Sequence, residues 1–129
     1  MRVIITSPSV PVSSSPVSPA TFGEGLIFVG GQMPRDRSTG VIPNDPSEQS
    51  RLSLEHCLAL VEAGGGNASS VMVVHAYLTD LEHKPHVDRV FSQEFGSSPP
   101  ARHLVEVSAI GENAVVEFAM IALRVSKQE

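Results

Sequence analysis

The feature that most restricts the fold is the apolar run at residues 114–124 near the C-terminus. Apolar residues at both odd and even positions predict a β-strand that is covered on both faces. Glu117 interrupts this run, on the face that it shares with Val115, Ala119 and Ile121. A charged carboxylate in a dry strand costs several kcal/mol unless a cation, a hydrogen-bond donor or water meets it. The position of Glu117 therefore needs an explanation.

Arg102 is a candidate partner for Glu117, because it begins the preceding predicted strand, within residues 98–107. An arginine and a glutamate on neighbouring strands are commonly a structural ion pair or two separately solvated residues. They can also form a functional couple, since perturbed carboxylates concentrate at active sites. From these two residues alone, both interpretations stay open.

The periodicity of the remaining chain predicts an α+β fold. A hairpin is expected within residues 21–29 around the turn Gly23-Glu24-Gly25. The other predicted elements are a helix at residues 46–63, a strand at 70–79, a helix at 85–95 and the two closing strands. Strands, helix, strand, helix and two strands make a mixed sheet with two helices on one face.

The first helix has a clear start and a clear apolar stripe. Asp45 suits the N-cap and Pro46 the first helical position. The stripe follows at i, i+3, i+4 and i+7, through Leu54, Cys57, Leu58 and Val61. Cys57, the single cysteine, is better explained as a small buried hydrophobe than as a nucleophile.

The second sheet face is predicted to be more apolar than solvent allows. We assign Val71, Val73, Val115 and Ile121 to it. Exposed apolar patches of this kind mark interaction surfaces, and self-association is the simplest way to cover one.

Composition limits the class of protein. A chain of 129 residues predicts one domain, residues 1–129. The net charge of −5, with nine scattered Lys and Arg, argues against a nucleic-acid partner. No segment approaches the ~20 apolar residues of a membrane helix, and the N-terminal apolar run is too short for a signal peptide. With one cysteine, a reducing cytoplasmic location is expected.

Three further segments have competing interpretations. Residues 7–19 have the composition of a linker, but we expect an ordered, extended arm. Gly30 and Gly31 form either a plain bulge or a place where backbone N–H groups bind a carboxylate. His83 and His86 have a spacing that suggests metal, but Pro85 between them and the lack of further ligands favour solvent exposure.

Several motifs together resemble the RidA/YjgF family of small imine deaminases. They are Gly30-Gly31-Gln32-Met33-Pro34 after an apolar strand, Thr39-Gly40, the helix from Pro46, Tyr77-Leu78-Thr79-Asp80-Leu81, Pro100-Ala101-Arg102 followed by Val105-Glu106-Val107, and Val116-Glu117. The resemblance covers residues 16–124 and implies a chorismate-mutase-like fold. It also implies a homotrimer with a barrel-like core and pockets at subunit interfaces.

The activity implied by the resemblance is hydrolysis of 2-imino or enamine acids to 2-oxo acids and ammonia, without cofactor or metal. Arg102 would clamp the substrate carboxylate and Glu117 would position water. The implied substrate-binding positions are Gly30, Gly31, Pro100, Ala101, Leu104 and Asp88. An older interpretation of the family is ribonuclease activity.

The chain departs from the deaminating members at four positions, which carry Ala20, Gly30, Leu104 and Asp88 in place of Tyr, Ser, Cys and Asn. These departures bear on substrate identity more than on the reaction. An aminomuconate-type substrate is one alternative. Another is a non-catalytic trimer that binds small carboxylates or acts as a chaperone-like surface.

Overall fold

The computed structural model describes residues 1–125, which form a mixed sheet with two helices on one face. In chain order the elements are β1 Val3–Ile5, β2 Ala20–Gly23, β3 Leu26–Gln32, α1 Pro46–Ala63, β4 Val71–Leu78, α2 Lys84–Phe95, β5 Ala101–Glu106 and β6 Val116–Leu123. The strand order is β1-β2-β3-β6-β4-β5. The predicted α+β architecture is confirmed.

Helix α1 begins and ends as its sequence predicts. The Asp45 side chain accepts a hydrogen bond from the backbone N–H of Ser47 at 3.0 Å, and Pro46 occupies the first turn. The backbone N–H of Gly64 closes the helix by donating to the Leu60 carbonyl. Leu54 and Cys57 are fully buried, so the apolar stripe packs on the sheet.

Strands β2 and β3 form the predicted hairpin. Its turn places Glu24 and Gly25 at positive φ, 53° and 78°, where glycine is the residue with no steric penalty. The chain also forms β1, a strand that the sequence patterns did not predict, and it pairs antiparallel with β2.

The expectation that Arg102 and Glu117 lie on neighbouring strands is wrong, because β4 runs between β5 and β6. Strand β5 is parallel to β4, and β6 is antiparallel to it on its other side. A helical crossover through α2 joins β4 to β5, which is the connection that parallel neighbours require. Strand β6 then pairs with the opposite edge of β4.

The two faces of the sheet differ sharply in burial. Beneath the helices, β4 contributes Val74, Ala76 and Leu78, and β6 contributes Val116, Phe118 and Met120, all buried. The opposite surface, here called the helix-free face, carries the alternate residues Val73, His75, Tyr77, Glu117, Ala119 and Ile121, all half-buried.

Two of the four residues assigned to that second face are misplaced. Val73 and Ile121 do lie on it, paired across β4 and β6. Val71 is instead buried in the core because an irregularity between positions 71 and 73 shifts the pairing with β6. Val115 precedes β6 and packs against the core. Apolar exposure on this face is nevertheless real, since Val105 is 47% exposed and Phe28 is 42% exposed.

Candidate functional site

One candidate site is a cavity of about 420 Å³ between α2 and the start of β5, here called the Arg102 cavity. It is lined by Asp88, Phe91, Ser92, Gly96, Pro99, Pro100 and Arg102. Of the residues predicted from the sequence, it brings together Arg102, Asp88 and Pro100. The other four lining residues were not predicted as site residues, although Pro99 directly precedes the Pro100-Ala101-Arg102 motif.

Helix α2 holds the Arg102 guanidinium in place. Its central carbon lies 4.9 Å from the centre of the Phe91 ring, and its Nη1 lies 2.9 Å from Oδ1 of Asp88. The Arg102 side chain is only 21% exposed. A guanidinium has five N–H donors, so one contact with Asp88 leaves donors that can take a ligand carboxylate.

A second group surrounds Glu117 on the helix-free face, here called the Glu117 niche. It consists of Glu117, Gly30 and Gly31. The pairing of β3 with β6 shifts between Val29 and Gln32, so the two glycines form a bulge beside Glu117. A Cβ at Gly31 would lie 2.9 Å from Oε2 of Glu117. Only glycine leaves the carboxylate its present position.

Burial raises the pKa of Glu117 above the ordinary value of a glutamate. No cation or hydrogen-bond donor of residues 1–125 offsets this effect. A carboxylate with a raised pKa and no protein partner is suited to bind and deprotonate water.

Polar residues of α1 set the geometry of the niche. The Ser53 hydroxyl donates to the carbonyl of Gln32 at 2.7 Å and accepts from the backbone N–H of Phe118 at 2.9 Å. It thus bridges β3 and β6 next to the bulge. The Gln49 side-chain oxygen accepts from the N–H of Val115 at 2.8 Å, just before β6. The sequence signal for these roles was the presence of polar residues on the sheet-facing side of α1.

The Arg102 cavity and the Glu117 niche lie on opposite faces of the sheet. Arg102 pairs with Val74, on the face that the helices cover. Glu117 pairs with Tyr77, on the helix-free face. From strand spacing and rise, two strands and three residues separate their Cα atoms by about 14 Å. The two side chains therefore do not share a cleft within a single chain, and the shared cleft predicted from the sequence, at a subunit interface, stays a prediction.

Three other predicted site positions are distributed between the two faces. Ala101 is exposed and pairs with Val73, which places it on the helix-free face. Leu104 lies on the helix side with Arg102, half-buried against the core. Ala20 begins β2, directly after the arm of residues 7–19, and is buried. The arm reaches the niche through Pro19, whose carbonyl accepts from the N–H of Gly30 at 2.9 Å.

The remaining chemically active side chains have structural partners. Cys57 is buried and its thiol donates to the Phe118 carbonyl, so burial raises the pKa of the thiol. The ring of His86 contacts the Ser47 hydroxyl at 2.7 Å and is half-buried, whereas solvent exposure was expected from the sequence.

Within residues 1–125 no group of three His, Cys, Asp or Glu side chains could hold a metal ion. His75 stacks on His103 on the helix-free face.

None of the helices described in residues 1–125 has the length and apolar character needed to cross a membrane.

Comparison with known proteins extends these observations. The family described as endoribonuclease L-PSP matches residues 8–124. A RutC family protein of Pyrococcus horikoshii is 33% identical over 125 residues, which cover 96% of this chain and 99% of that protein.

Solved structures resemble the fold over nearly its whole length. A Yersinia pestis protein of the conserved Rid family superimposes with a TM-score of 0.90 at 27% identity, covering 95% of this chain and 99% of that one. Escherichia coli TdcF, crystallised with bound serine, gives a TM-score of 0.89 at 29% identity, covering 95% and 99%.

Proposed function

This chain belongs to the endoribonuclease L-PSP family, which includes the Rid (RidA/YjgF) proteins, and from that membership we propose that it hydrolyses 2-imino or enamine acids. The products would be a 2-oxo acid and ammonia. The observation that carries the proposal is the Glu117 carboxylate, which is half-buried beside Gly31, has a raised pKa and has no partner among residues 1–125. Such a group has an evident chemical use in activating water.

The proposed reaction divides the work between two side chains. Arg102 binds the substrate carboxylate through its free donors, which fixes the adjacent imine carbon. The substrate reacts as the protonated imine. Glu117 accepts a proton from water as the water oxygen bonds to the imine carbon and the C=N π electrons return to the nitrogen, which gives a carbinolamine. Glu117 passes that proton to the amino nitrogen. The C–N bond then breaks as the hydroxyl oxygen forms the C=O bond and gives its proton to Glu117, so ammonia leaves and the 2-oxo acid remains. An imine carbon is already electrophilic, so no cofactor is needed.

Because Arg102 and Glu117 lie on opposite faces of one sheet, a site that uses both needs two protomers. We therefore propose a homotrimer in which the Arg102 cavity of one protomer meets the Glu117 niche of the next. The exposed apolar residues Val105 and Phe28 support burial of the helix-free face between copies. Head-to-tail contacts of this type close into rings.

The first experiment is an activity assay. We expect the wild-type protein to accelerate the decay of 2-iminobutanoate generated in situ, and Arg102→Ala and Glu117→Gln to lose most of that acceleration. Arg51→Ala is the matched control, since Arg51 pairs with Glu48 and Glu55 of its own helix, α1, away from both parts of the proposed site. Equal decay with wild type and Arg102→Ala would refute catalysis at this site.

The second experiment tests whether the site is shared between protomers. Arg102→Ala and Glu117→Gln are co-expressed in equal amounts so that mixed trimers form. With random mixing, half of the Arg102 cavities are intact and half of those meet an intact Glu117, so about a quarter of wild-type activity should return. A site built within one chain would recover none.

A second candidate function is non-catalytic binding of small carboxylates. The observation in its favour is that the Arg102 cavity is complete without Glu117 in a single protomer. This second function predicts that 2-oxobutanoate binds to the wild-type protein but not to Arg102→Ala. It also predicts that neither protein changes the rate of imine decay. RNA cleavage is tested in parallel, and we expect none, because the nine Lys and Arg are scattered along the sequence and the net charge is −5.

A further inference from the structure

At the Arg102 cavity one carboxylate, that of Asp88, forms ion pairs with two cations. Oδ1 of Asp88 lies 2.9 Å from Nη1 of Arg102, and Oδ2 lies 2.8 Å from Nζ of Lys84. Lys84 and Asp88 are one turn apart on α2, while Arg102 comes from β5. Asp88 therefore connects the carboxylate-binding arginine to a surface lysine.

The two ion pairs differ in their surroundings. Arg102 is sheltered by the Phe91 ring and is 21% exposed, whereas Lys84 is 49% exposed. Exposed ion pairs contribute little because water screens them. The ion pair between Asp88 and Arg102 is better shielded from water than the pair between Asp88 and Lys84. Asp88 therefore acts on the cavity directly, through Arg102, whereas Lys84 acts on it only through Asp88.

A simple carboxylate entering this cavity meets both charges. Arg102 attracts it, but Asp88 already occupies one donor and repels a second negative charge at close range. A ligand with a cationic nitrogen on the carbon next to its carboxylate avoids this repulsion. Its carboxylate takes Arg102, and its N–H groups donate to the Asp88 oxygen.

We propose that Asp88 is a specificity-determining residue, which makes the Arg102 cavity select ligands with a cationic nitrogen beside the carboxylate over plain carboxylates. The ligand class is 2-amino acids and the protonated form of 2-imino acids. The proposal deepens the proposed function, since it rests on Arg102 as the carboxylate site. For an imino acid, Asp88 would favour the protonated form, whose carbon water attacks more readily.

The test compares two ligands that differ only in the nitrogen, butanoate and 2-aminobutanoate, by calorimetric titration. We expect wild type to bind 2-aminobutanoate about tenfold more tightly, equivalent to about 1.4 kcal/mol. In Asp88→Asn, which keeps the shape, butanoate affinity should rise about tenfold and the preference should disappear. An unchanged ratio of the two affinities in Asp88→Asn would overturn the proposal, as would failure of wild type to bind either ligand.

Lys84→Met is the second variant, because it keeps the Asp88–Arg102 contact and removes the outer cation. With less positive charge near Asp88, the preference for 2-aminobutanoate should increase above that of wild type. A merely structural role for Asp88 predicts altered stability in both variants with no change in the ratio.

Together with the imine-decay assay, these titrations test two proposals independently: that Asp88 selects the ligand, and that the protein hydrolyses imines. If the ligand preference follows Asp88 but wild type does not accelerate imine decay, the charge selection stands and the proposed activity fails. If imine decay is accelerated while the ratio is insensitive to Asp88, the activity stands and the selection fails.

Discussion

Replacing Gly31 by alanine would test the Glu117 niche most directly. The added Cβ would lie 2.9 Å from Oε2 and 3.0 Å from Cδ of Glu117. Ordinary contacts begin at 3.4 Å, so the carboxylate would move by about 0.5 Å. Gly31 does not have a left-handed φ, so the backbone itself accepts alanine. The perturbation therefore acts on the position of Glu117 and not on the fold.

The size of the effect follows from that displacement. A misplacement of about 1 Å in a catalytic site costs roughly a hundredfold, so about 0.5 Å should lower turnover about tenfold. The clash is with the mobile end of a side chain, so the free energy of unfolding should change by less than about 1 kcal/mol. At Gly66 a Cβ would lie 2.8 Å from the backbone oxygen of Leu123, and Gly66→Ala should cost about 2 kcal/mol.

The assay measures 2-iminobutanoate decay and urea unfolding for Gly31→Ala, with Gly23→Ala as the matched control. Gly23 lies in β2, outside the niche, and a Cβ there would meet no atom within 4 Å. The control should keep both activity and stability. Full activity in Gly31→Ala would refute the reasoning, because the carboxylate would then tolerate displacement. Equal losses in both variants would refute it too.

Four other outcomes are expected. Burial raises the pKa of Glu117, so the wild-type protein loses stability as the pH rises through that pKa and the buried carboxylate becomes charged. Glu117→Gln avoids this charge. In urea unfolding the variant should therefore be more stable than wild type at pH 8 and equally stable below about pH 4, where the glutamate is protonated in both the folded and the unfolded state. Ser53→Ala should destabilise the protein by about 2 kcal/mol, because it leaves a buried N–H and a buried carbonyl without a partner; a change below about 0.5 kcal/mol would contradict the bridge. Val105→Asp should abolish self-association in sedimentation, whereas Val41→Asp in an exposed loop should not; assembly in both variants would exclude the helix-free face as the interface. Cys57 should resist thiol reagents in the folded protein and react in urea, since burial raises the pKa of its thiol; rapid labelling of the native protein would show that α1 opens.

Much of the local structure could be predicted from the sequence. The cap at Asp45, the turn at Glu24-Gly25 and the apolar stripe of α1 each act over a few residues, so their patterns are legible in the chain. The motif ending at Arg102 also predicted the family, and the match over residues 8–124 confirms it. The roles of Ser53 and Gln49 were missed because their partners lie on strands far along the chain.

The sequence by itself determined the two helices, the strands other than β1, their order along the chain, and the presence of a carboxylate in an apolar strand. Only the tertiary structure decided that β4 inserts between β5 and β6, which puts Arg102 beneath the helices and Glu117 on the helix-free face. The physical reason is that strand order depends on pairing between distant segments, whereas side-chain direction alternates with every residue. Arg102 and Glu117 are fifteen residues apart in the sequence. In the fold they pair with positions of β4 that are three residues apart, and because this number is odd their side chains point to opposite faces of the sheet.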